Sequence, residues 1–424
     1  DALAELAPLV RERRPKSALL VMDATPMRRG DEDLKALVEA RLRTAAPLTV
    51  ARLAEPHADL ATAERLAAAL ADHDLLISCG SGSVTDLAKY ARHLARTEIP
   101  FLCLPTAASV TAFTSSLAVL LVDGVKRTLP ARAPELVLVD LLALASAPPA
   151  MTAAGFGDVL ARSVANADWF LAAELGMADG FSRVPGLLLA EAEERMVRQA
   201  DSVALREPEA VCAVMEALLL AGLAMSLVDQ TAPLSGWEHV ISHFIDMTAA
   251  HDRREMGLHG EQVGVGTLIA ARAYDRAWPA LEVGALEWEP DAADLAQAKR
   301  YIVKVFKPYD PRGLMAAEIW RDAERKLRLW SATGSQHREF ARRHAAGDYN
   351  DTIAGVRSSA QVARALSRVG APLRFEELSR PVPTATARAA VRHSHLIRSR
   401  FTLGDLLDLC GWLTDETAAD LLAE

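Results

Sequence analysis

Short apolar runs recur through the first 140 positions, separated by helical or turn patterns, and after Pro148-Pro149 they all but vanish. Ser17–Asp23 (SALLVMD) shows the type: a continuous apolar run closed by an acid, with no polar alternation. Such a run suits a parallel strand buried on both faces. Leu48–Leu53 predicts a second strand, and the Ala/Leu-rich Ala61–Asp72 a helix. Asp74–Ser78 predicts a third strand, which runs into Cys79-Gly80-Ser81-Gly82-Ser83 and then a helix to about Leu94. Pro100–Leu104 predicts a fourth. Leu117–Val122 and Val125–Leu129 flank Asp123-Gly124, a hairpin signal, and Leu136–Asp140 predicts a last strand. This alternation implies a parallel sheet covered on both faces.

Beyond residue 149 the spacing is helical, as in Pro208–Asp229, Glu261–Ala277, Asp291–Phe306 and Leu314–Leu329. A chain of 424 residues is too long for one ordinary core. The expected organisation is an α/β Rossmann-like domain of nucleotide-binding type over 1–149 and an all-α domain over 150–424. No internal repeat is visible, and Pro381–Thr386 is expected as a short loop.

The formal net charge of −9 argues against nucleic acid or an anionic membrane as partner, since both would meet a repulsive field. A small anionic metabolite stays compatible, because a pocket can be basic on an acidic surface. Cys79, Cys103, Cys212 and Cys410 form no CxxC pair and are expected as buried, reduced thiols. The first residues carry no basic-then-apolar signal pattern, and no apolar run is expected to reach the roughly 18–20 residues that span a bilayer. The expectation is a soluble, cytoplasmic protein.

Two constellations carry chemistry. In the first, a strand runs into Gly80, Ser81, Gly82 and Ser83 and opens a helix. Backbone N–H groups and the positive helix end then converge where a pyrophosphate fits, and glycine leaves room for the phosphate oxygens. The turn lacks the spaced G-x-G-x-x-G of a standard Rossmann domain, and the same pattern also occurs without a ligand. Asp23 is placed to bond an adenosine ribose, which favours NAD. Arg28 and Arg29 follow closely, so NADP stays open.

In the second, Asp158 ends Gly155-Phe156-Gly157-Asp158, expected to open a helix. His239 and His243 are four apart and share a helix face, and His259 precedes another helix. Imidazoles and a carboxylate suit a divalent ion such as Zn2+, and three protein ligands leave a position for a substrate oxygen. Spacing alone does not bring these residues together.

Read in order over about residues 15–410, these segments resemble the superfamily of glycerol dehydrogenases, iron-containing alcohol dehydrogenases and dehydroquinate synthases. The sn-glycerol-1-phosphate dehydrogenase branch is most similar. The matching stretches are Gly80–Lys89, Pro105–Ser109, Gly124–Thr128, Ala153–Asp158, Ser235–His243, Leu258–Thr267 and Ile397–Thr402. The resemblance implies the dehydroquinate-synthase-like fold and a cleft between the domains as active site. It places the metal on Asp158, His239 and His259 (zinc, with nickel or iron as other options), the pyrophosphate on Gly80–Ser83, and a proton-relay role on His243. Asp86, Thr106 and Ser109 would line the cofactor, with Lys126 near its phosphates or the substrate's. It implies NAD(P)-linked interconversion of dihydroxyacetone phosphate and sn-glycerol 1-phosphate or a relative, and a homo-oligomer, dimer or larger.

Two departures mark the substrate pocket. Thr111-Ala112 stands where the family carries Asp-Gly, and Arg162 where it carries Lys four residues after the metal Asp. Threonine loses the charge and bidentate reach, and arginine forks differently around a phosphate. Both are read as substrate-contacting positions that differ. The alternatives are a dehydroquinate-synthase-like lyase that uses NAD transiently with no net redox, and an inactive cofactor-binding homologue.

Overall fold

A computed structural model describes residues 2–54, 58–122, 125–252 and 254–423. The strand Ala18–Asp23 is buried at every position, and so is Leu75–Gly80. A strand with no wet face must lie inside a sheet that is itself covered on both sides. Ala18–Asp23 accordingly pairs in parallel with Leu48–Leu53 on one side and Leu75–Gly80 on the other, Leu20 lying opposite Val50 and Ile77. Phe101–Pro105 and Leu136–Val137 complete the five-stranded parallel sheet.

Successive side chains go to opposite faces. Leu19 and Val21 pack with Ala63 and Leu66 of the helix Leu60–Ala69 and with Val84 and Leu87 of the helix Gly82–Leu94. Leu20 and Met22 pack with Leu6 and Val10 of the helix Leu6–Arg13 and with Leu34 and Val38 of the helix Leu34–Arg43. Those last two helices offer the core only a narrow stripe, and the sequence pattern does not single them out. Because the first strand lies between the second and the third, the chain leaves these neighbours in opposite directions. A crevice opens beyond their carboxyl ends, where Asp23 and Gly80 sit.

The last strand stops at Val137 rather than Asp140. Asp140 instead caps the helix Leu141–Ser146, accepting from the Ala143 amide at 2.9 Å and pairing with Arg29 at 3.1 Å. Leu117–Val122 and Val125–Pro130 form the expected antiparallel hairpin. The Asp123-Gly124 turn lies outside the described residues. Cys79 and Cys103 are buried, but Cys212 and Cys410 only partly; all four are free thiols.

From Leu141 onward every described element is helical. Gly155–Asp158 does not open a helix, as expected, but lies in the second half of Pro149–Leu160, which starts with proline at its first position. Its glycines serve a close crossing. A Cβ on Gly157 would lie 2.5 Å from the Gly260 carbonyl oxygen, and one on Gly260 would lie 1.9 Å from that of Ala154. Pro149–Leu160 and His259–Ala277 therefore touch backbone to backbone. On its other side, a Cβ on Gly155 would lie 2.1 Å from the Ala108 carbonyl oxygen. This helix is thus wedged between the loop after the fourth strand and the helix that begins at His259.

Two further expectations change. The helix Thr384–His393 begins inside the stretch read as a loop. The 21-residue helix Pro208–Val228 is long and apolar enough to cross a membrane by length and composition, contrary to the sequence reading. A little over half of its most apolar stretch is buried within the fold, where the helix packs on Val184–Arg198, while Leu223 and Leu227 stay exposed.

Gly260→Ala is expected to destabilise the protein by roughly 1–3 kcal/mol through overpacking. Gly284→Ala, with no atom within 4 Å of the added carbon, should change stability by less than about 0.5 kcal/mol. Urea unfolding midpoints compare the two; equal midpoints would refute the crossing argument.

Candidate active site

The helix Gly82–Leu94 begins without a side-chain cap, since Ser81 at the N-cap position bonds no backbone amide. Its first-turn N–H groups are left for a partner, and Ser81, Gly82 and Ser83 line a cavity of about 390 Å³. Amide donors and a positive helix end suit an anion there. The glycines are required even before a ligand is considered. A Cβ on Gly80 would lie 2.6 Å from that of Val84, and one on Gly82 would lie 2.4 Å from Val110 Cγ2.

Ser109, Asp86 and Lys126 also line this cleft. Asp86 pairs with Lys89 at 2.8 Å and accepts from the Val119 amide at 3.2 Å. Burial raises its carboxyl, against the opposing pull of Lys89. Lys89 in turn donates to the carbonyls of Ala112 (2.8 Å) and Leu117 (2.5 Å), fastening the loop that carries Thr111. Lys126 is tied to Asp246 at 2.5 Å. Thr106 is buried behind the lining, its amide on the Gly80 carbonyl at 3.2 Å and its hydroxyl unpartnered. Asp23 lies apart from this cleft and is ion-paired with buried Lys35, whose ammonium also takes the carbonyls of Asp23 and Thr25 at 2.7 Å. The same Asp23 oxygen accepts from the Thr25 amide at 3.2 Å, so one carboxylate oxygen already serves two donors.

At the opposite wall, one ligand atom each from Asp158, His239 and His259 lies within 4.8 Å of the others. Asp158 Oδ2 accepts from the Thr111 amide at 3.0 Å, while Oδ1 is buried without a hydrogen bond. That oxygen is 3.2 Å from His239 Nε2 and 3.9 Å from His259 Nε2. The tautomers follow from the far side of each ring. His239 Nδ1 is 2.8 Å from the wholly buried Glu238 carboxylate, which can only accept. His259 Nδ1 is 3.0 Å from Ser242 Oγ, whose own proton goes to Gln262 Oε1 at 2.8 Å. Both Nδ1 atoms therefore donate, and both Nε2 atoms are bare lone pairs when the rings are neutral. Three acceptors face one another, an arrangement that only a cation or an extra proton relieves. The residues fit a divalent ion.

The ionisation follows the same logic. Burial disfavours a charged His239, but the adjacent carboxylates of Asp158 and Glu238 outweigh it and raise the ring to about 9. His259, partly buried and facing Lys126, is pushed down to about 3, desolvation being the larger cause. Asp158 stays below the usual carboxylate range: burial would raise it, but His239 and His259 win. Gln262 passes the outer network on to Asp246 at 3.1 Å, and so to Lys126. Glu238 lies beside Asp168, whose carboxyl burial and Glu238 together raise to about 7.

His243 lines the cleft, its ring stacked on His259 at 5.7 Å. Thr111 also lines it, and contributes its amide to Asp158. Arg162 does not reach the cleft, contrary to the expectation of substrate contact. The helix ends at Leu160, a new one starts at Arg162, and the guanidinium turns to Glu193, a wholly buried carboxylate that also holds Arg357 at 3.0 Å. A buried carboxylate needs its counter-charges, and Arg162 supplies one. Sequence reasoning also missed Glu238, Ser242, Asp246 and Gln262. For the last three the signal was helical spacing: Ser242 and Asp246 follow His239 by three and seven residues, and Gln262 follows His259 by three.

Residues 1–148 match a family profile described as iron-containing alcohol dehydrogenase. The glycerol-1-phosphate dehydrogenase [NAD(P)+] of Bacillus licheniformis is 28% identical over 403 residues, 94% of this chain and 84% of that protein. Its namesakes in Bacillus subtilis and Geobacillus stearothermophilus are 32% and 37% identical, over 59% and 54% of this chain and 60% and 56% of theirs. Two solved structures share the fold end to end. A probable glycerol dehydrogenase from Sinorhizobium meliloti has TM-score 0.58 and 18% identity, covering 98% of this chain and 96% of that one. An iron-containing alcohol dehydrogenase from Thermococcus thioreducens has TM-score 0.60 and 16% identity, covering 99% and 96%.

A divalent ion bound by these three atoms must displace the extra proton of His239. Below about pH 9 the metal-free ring is charged, so affinity for Zn2+ should rise roughly tenfold per pH unit and flatten above that value. Asp158 and His259 are already deprotonated at neutral pH and add no slope. Calorimetric titration in buffers of different ionisation enthalpy measures the released proton. An affinity constant between pH 6 and 8 would contradict this assignment.

Proposed function

We propose that the chain is a glycerol-1-phosphate dehydrogenase-like member of the glycerol dehydrogenase and iron-containing alcohol dehydrogenase superfamily, and that it is a metal-dependent, NAD(P)-linked oxidoreductase of a small phosphorylated polyol or ketone. The observation that carries this reading is the meeting of Asp158, His239 and His259 across one cleft from the uncapped start of Gly82–Leu94. Division of labour follows, with residues 1–149 as the cofactor-binding domain and 150–424 as the domain that holds metal and substrate.

Bound there, a divalent ion supplies Lewis acidity at the substrate oxygen and the nicotinamide supplies or accepts a hydride. Asp158, His239 and His259 would hold the ion; histidine nitrogens and one carboxylate favour zinc, with nickel or iron as alternatives. The amides of Gly82 and Ser83 would take the pyrophosphate, and Asp86 and Ser109 would line the cofactor beside it. Asp23, at the crevice edge, would meet the adenosine ribose with whatever capacity Lys35 leaves it. Lys126 would give its ammonium to a phosphate of cofactor or substrate, in exchange for Asp246. His243 would face the reacting oxygen.

Thr111 sets this chain's substrate. Its amide orients Asp158, and its hydroxyl stands where the family has a carboxylate, so the pocket offers the substrate one neutral hydrogen bond there. Dihydroxyacetone phosphate, going to sn-glycerol 1-phosphate, is the reference substrate, and a relative that suits the neutral side chain is the other option. A homo-oligomer, dimer or larger, belongs to the same reading, and Leu187 and Leu227, 72% and 63% exposed, are apolar side chains available to such contacts.

The reading is tested by following the NAD(P)H absorbance with metal-loaded protein, dihydroxyacetone phosphate and each reduced cofactor. A metal-dependent decay abolished by EDTA, and cut at least about 10³-fold in Asp158→Asn, is expected. No decay in protein that binds both metal and NAD(H) would reject the substrate; decay indifferent to EDTA would reject the metal. Ser83→Asp separates helix from ligand. An acid near a helix start should stabilise the fold by about 0.3–1 kcal/mol, yet weaken dinucleotide binding by repelling its phosphates. Unchanged cofactor affinity in that variant would displace the pyrophosphate from this turn.

A further inference from the structure

His243 lines the cleft beside the three residues assigned to the metal, but its Nδ1 is turned to Arg398, 3.0 Å from Nη2. A guanidinium has five N–H donors and no acceptor. Nδ1 must therefore accept, and the single proton of a neutral ring sits on Nε2. A doubly protonated ring would set N–H against N–H at this distance. Among the described residues the bond to Arg398 is the one hydrogen bond of the ring, and the ring lines the cleft, which leaves Nε2 for a ligand there.

We propose that Arg398 is a positioning residue: it locks His243 in the neutral Nε2–H tautomer, so that His243 meets the substrate oxygen as a hydrogen-bond donor rather than as a proton relay. The proposal rests on the reading that the substrate oxygen is held at Asp158, His239 and His259. Arg398 is not part of the cleft lining, so it acts through the ring. Its backbone is extended (φ −136, ψ 151), and Arg400, two residues on, reaches the Ser235 carbonyl and the Thr231 hydroxyl. Both of those residues belong to the lining. The segment from Ile397 to Thr402 thus braces one wall of the cleft with two guanidiniums. A neutral imidazole that only donates can stabilise negative charge growing on a carbonyl oxygen without changing its own protonation state. Taking a proton instead would require Nδ1 to leave Arg398.

The test reads the tautomer directly. In the zinc-loaded full chain with ¹⁵N-labelled histidine, the His243 resonances are identified as those missing from His243→Gln. A protonated Nε2 and a bare Nδ1 are expected at neutral pH. Arg398→Met should lose that fixed tautomer and lower kcat roughly 10- to 100-fold, the range for groups that orient a functional histidine, with KM for the dinucleotide unchanged. Arg398→Lys keeps a donor and should restore the Nε2–H signal and part of kcat. A protonated Nδ1 in the wild type, or an unchanged tautomer in a folded Arg398→Met, would overturn the proposal. If polyol phosphates are not turned over at all, the proposed function fails, while the tautomer measurement still decides the role of Arg398.

Discussion

Three hydrogen-bond acceptors, Asp158 Oδ1, His239 Nε2 and His259 Nε2, are driven together in a buried place. Lone pairs facing one another out of water are costly unless a cation lies between them. The protein does not avoid this cost but enforces it. Glu238 and Ser242 consume the far-side protons of the two rings, and the Thr111 amide consumes the other oxygen of Asp158. Each outer partner removes a way in which its inner residue could satisfy itself. The affinity for a proton, seen in His239 at about 9, is the same electrostatic demand that a metal meets better.

The distances in that cluster are set by backbone contact rather than by side-chain length. Pro149–Leu160 and His259–Ala277 cross at Gly157 and Gly260, where even one methyl group has no room. Asp158 and His259 follow or precede the crossing by one residue and are fixed by it. Because Gly155 packs on the Ala108 carbonyl, the same helix is registered against the sheet, and Thr111 arrives at Asp158 through the loop that Lys89 fastens. The Gly/Ser turn side of the cleft and the side of Asp158, His239 and His259 are thereby joined through one helix.

Charges that look free in the sequence are mostly committed in the fold. Arg162 answers Glu193, Lys35 answers Asp23, and Lys126 answers Asp246. Of these, Lys126 alone faces the cleft lined by Asp158, His239 and His259, so it is the cation there that an incoming phosphate would have to win from a carboxylate. This is why the position of a basic residue relative to a motif is a poor guide to phosphate contact: a buried acid elsewhere can claim it first.

The parallel sheet, the Gly/Ser turn, the hairpin strands and most long helices were legible because each is written in local periodicity: apolar runs, a turn dipeptide, a spacing of three and four. The pair His239 and His243 was legible for the same reason. The short last strand was misjudged because Asp140 prefers to cap the next helix, and Gly155–Asp158 was misread because glycine marks a helix crossing as readily as a helix start. What the sequence determined by itself is therefore the element types and the residues able to bind a metal. Tertiary structure alone decided that Asp158, His239 and His259 meet, that Arg162 turns away, and that Arg398 faces His243 across 155 residues of chain. Those choices rest on hydrogen bonds and charge pairs between segments far apart in the chain, and such partnerships leave no periodic trace in the residues that make them.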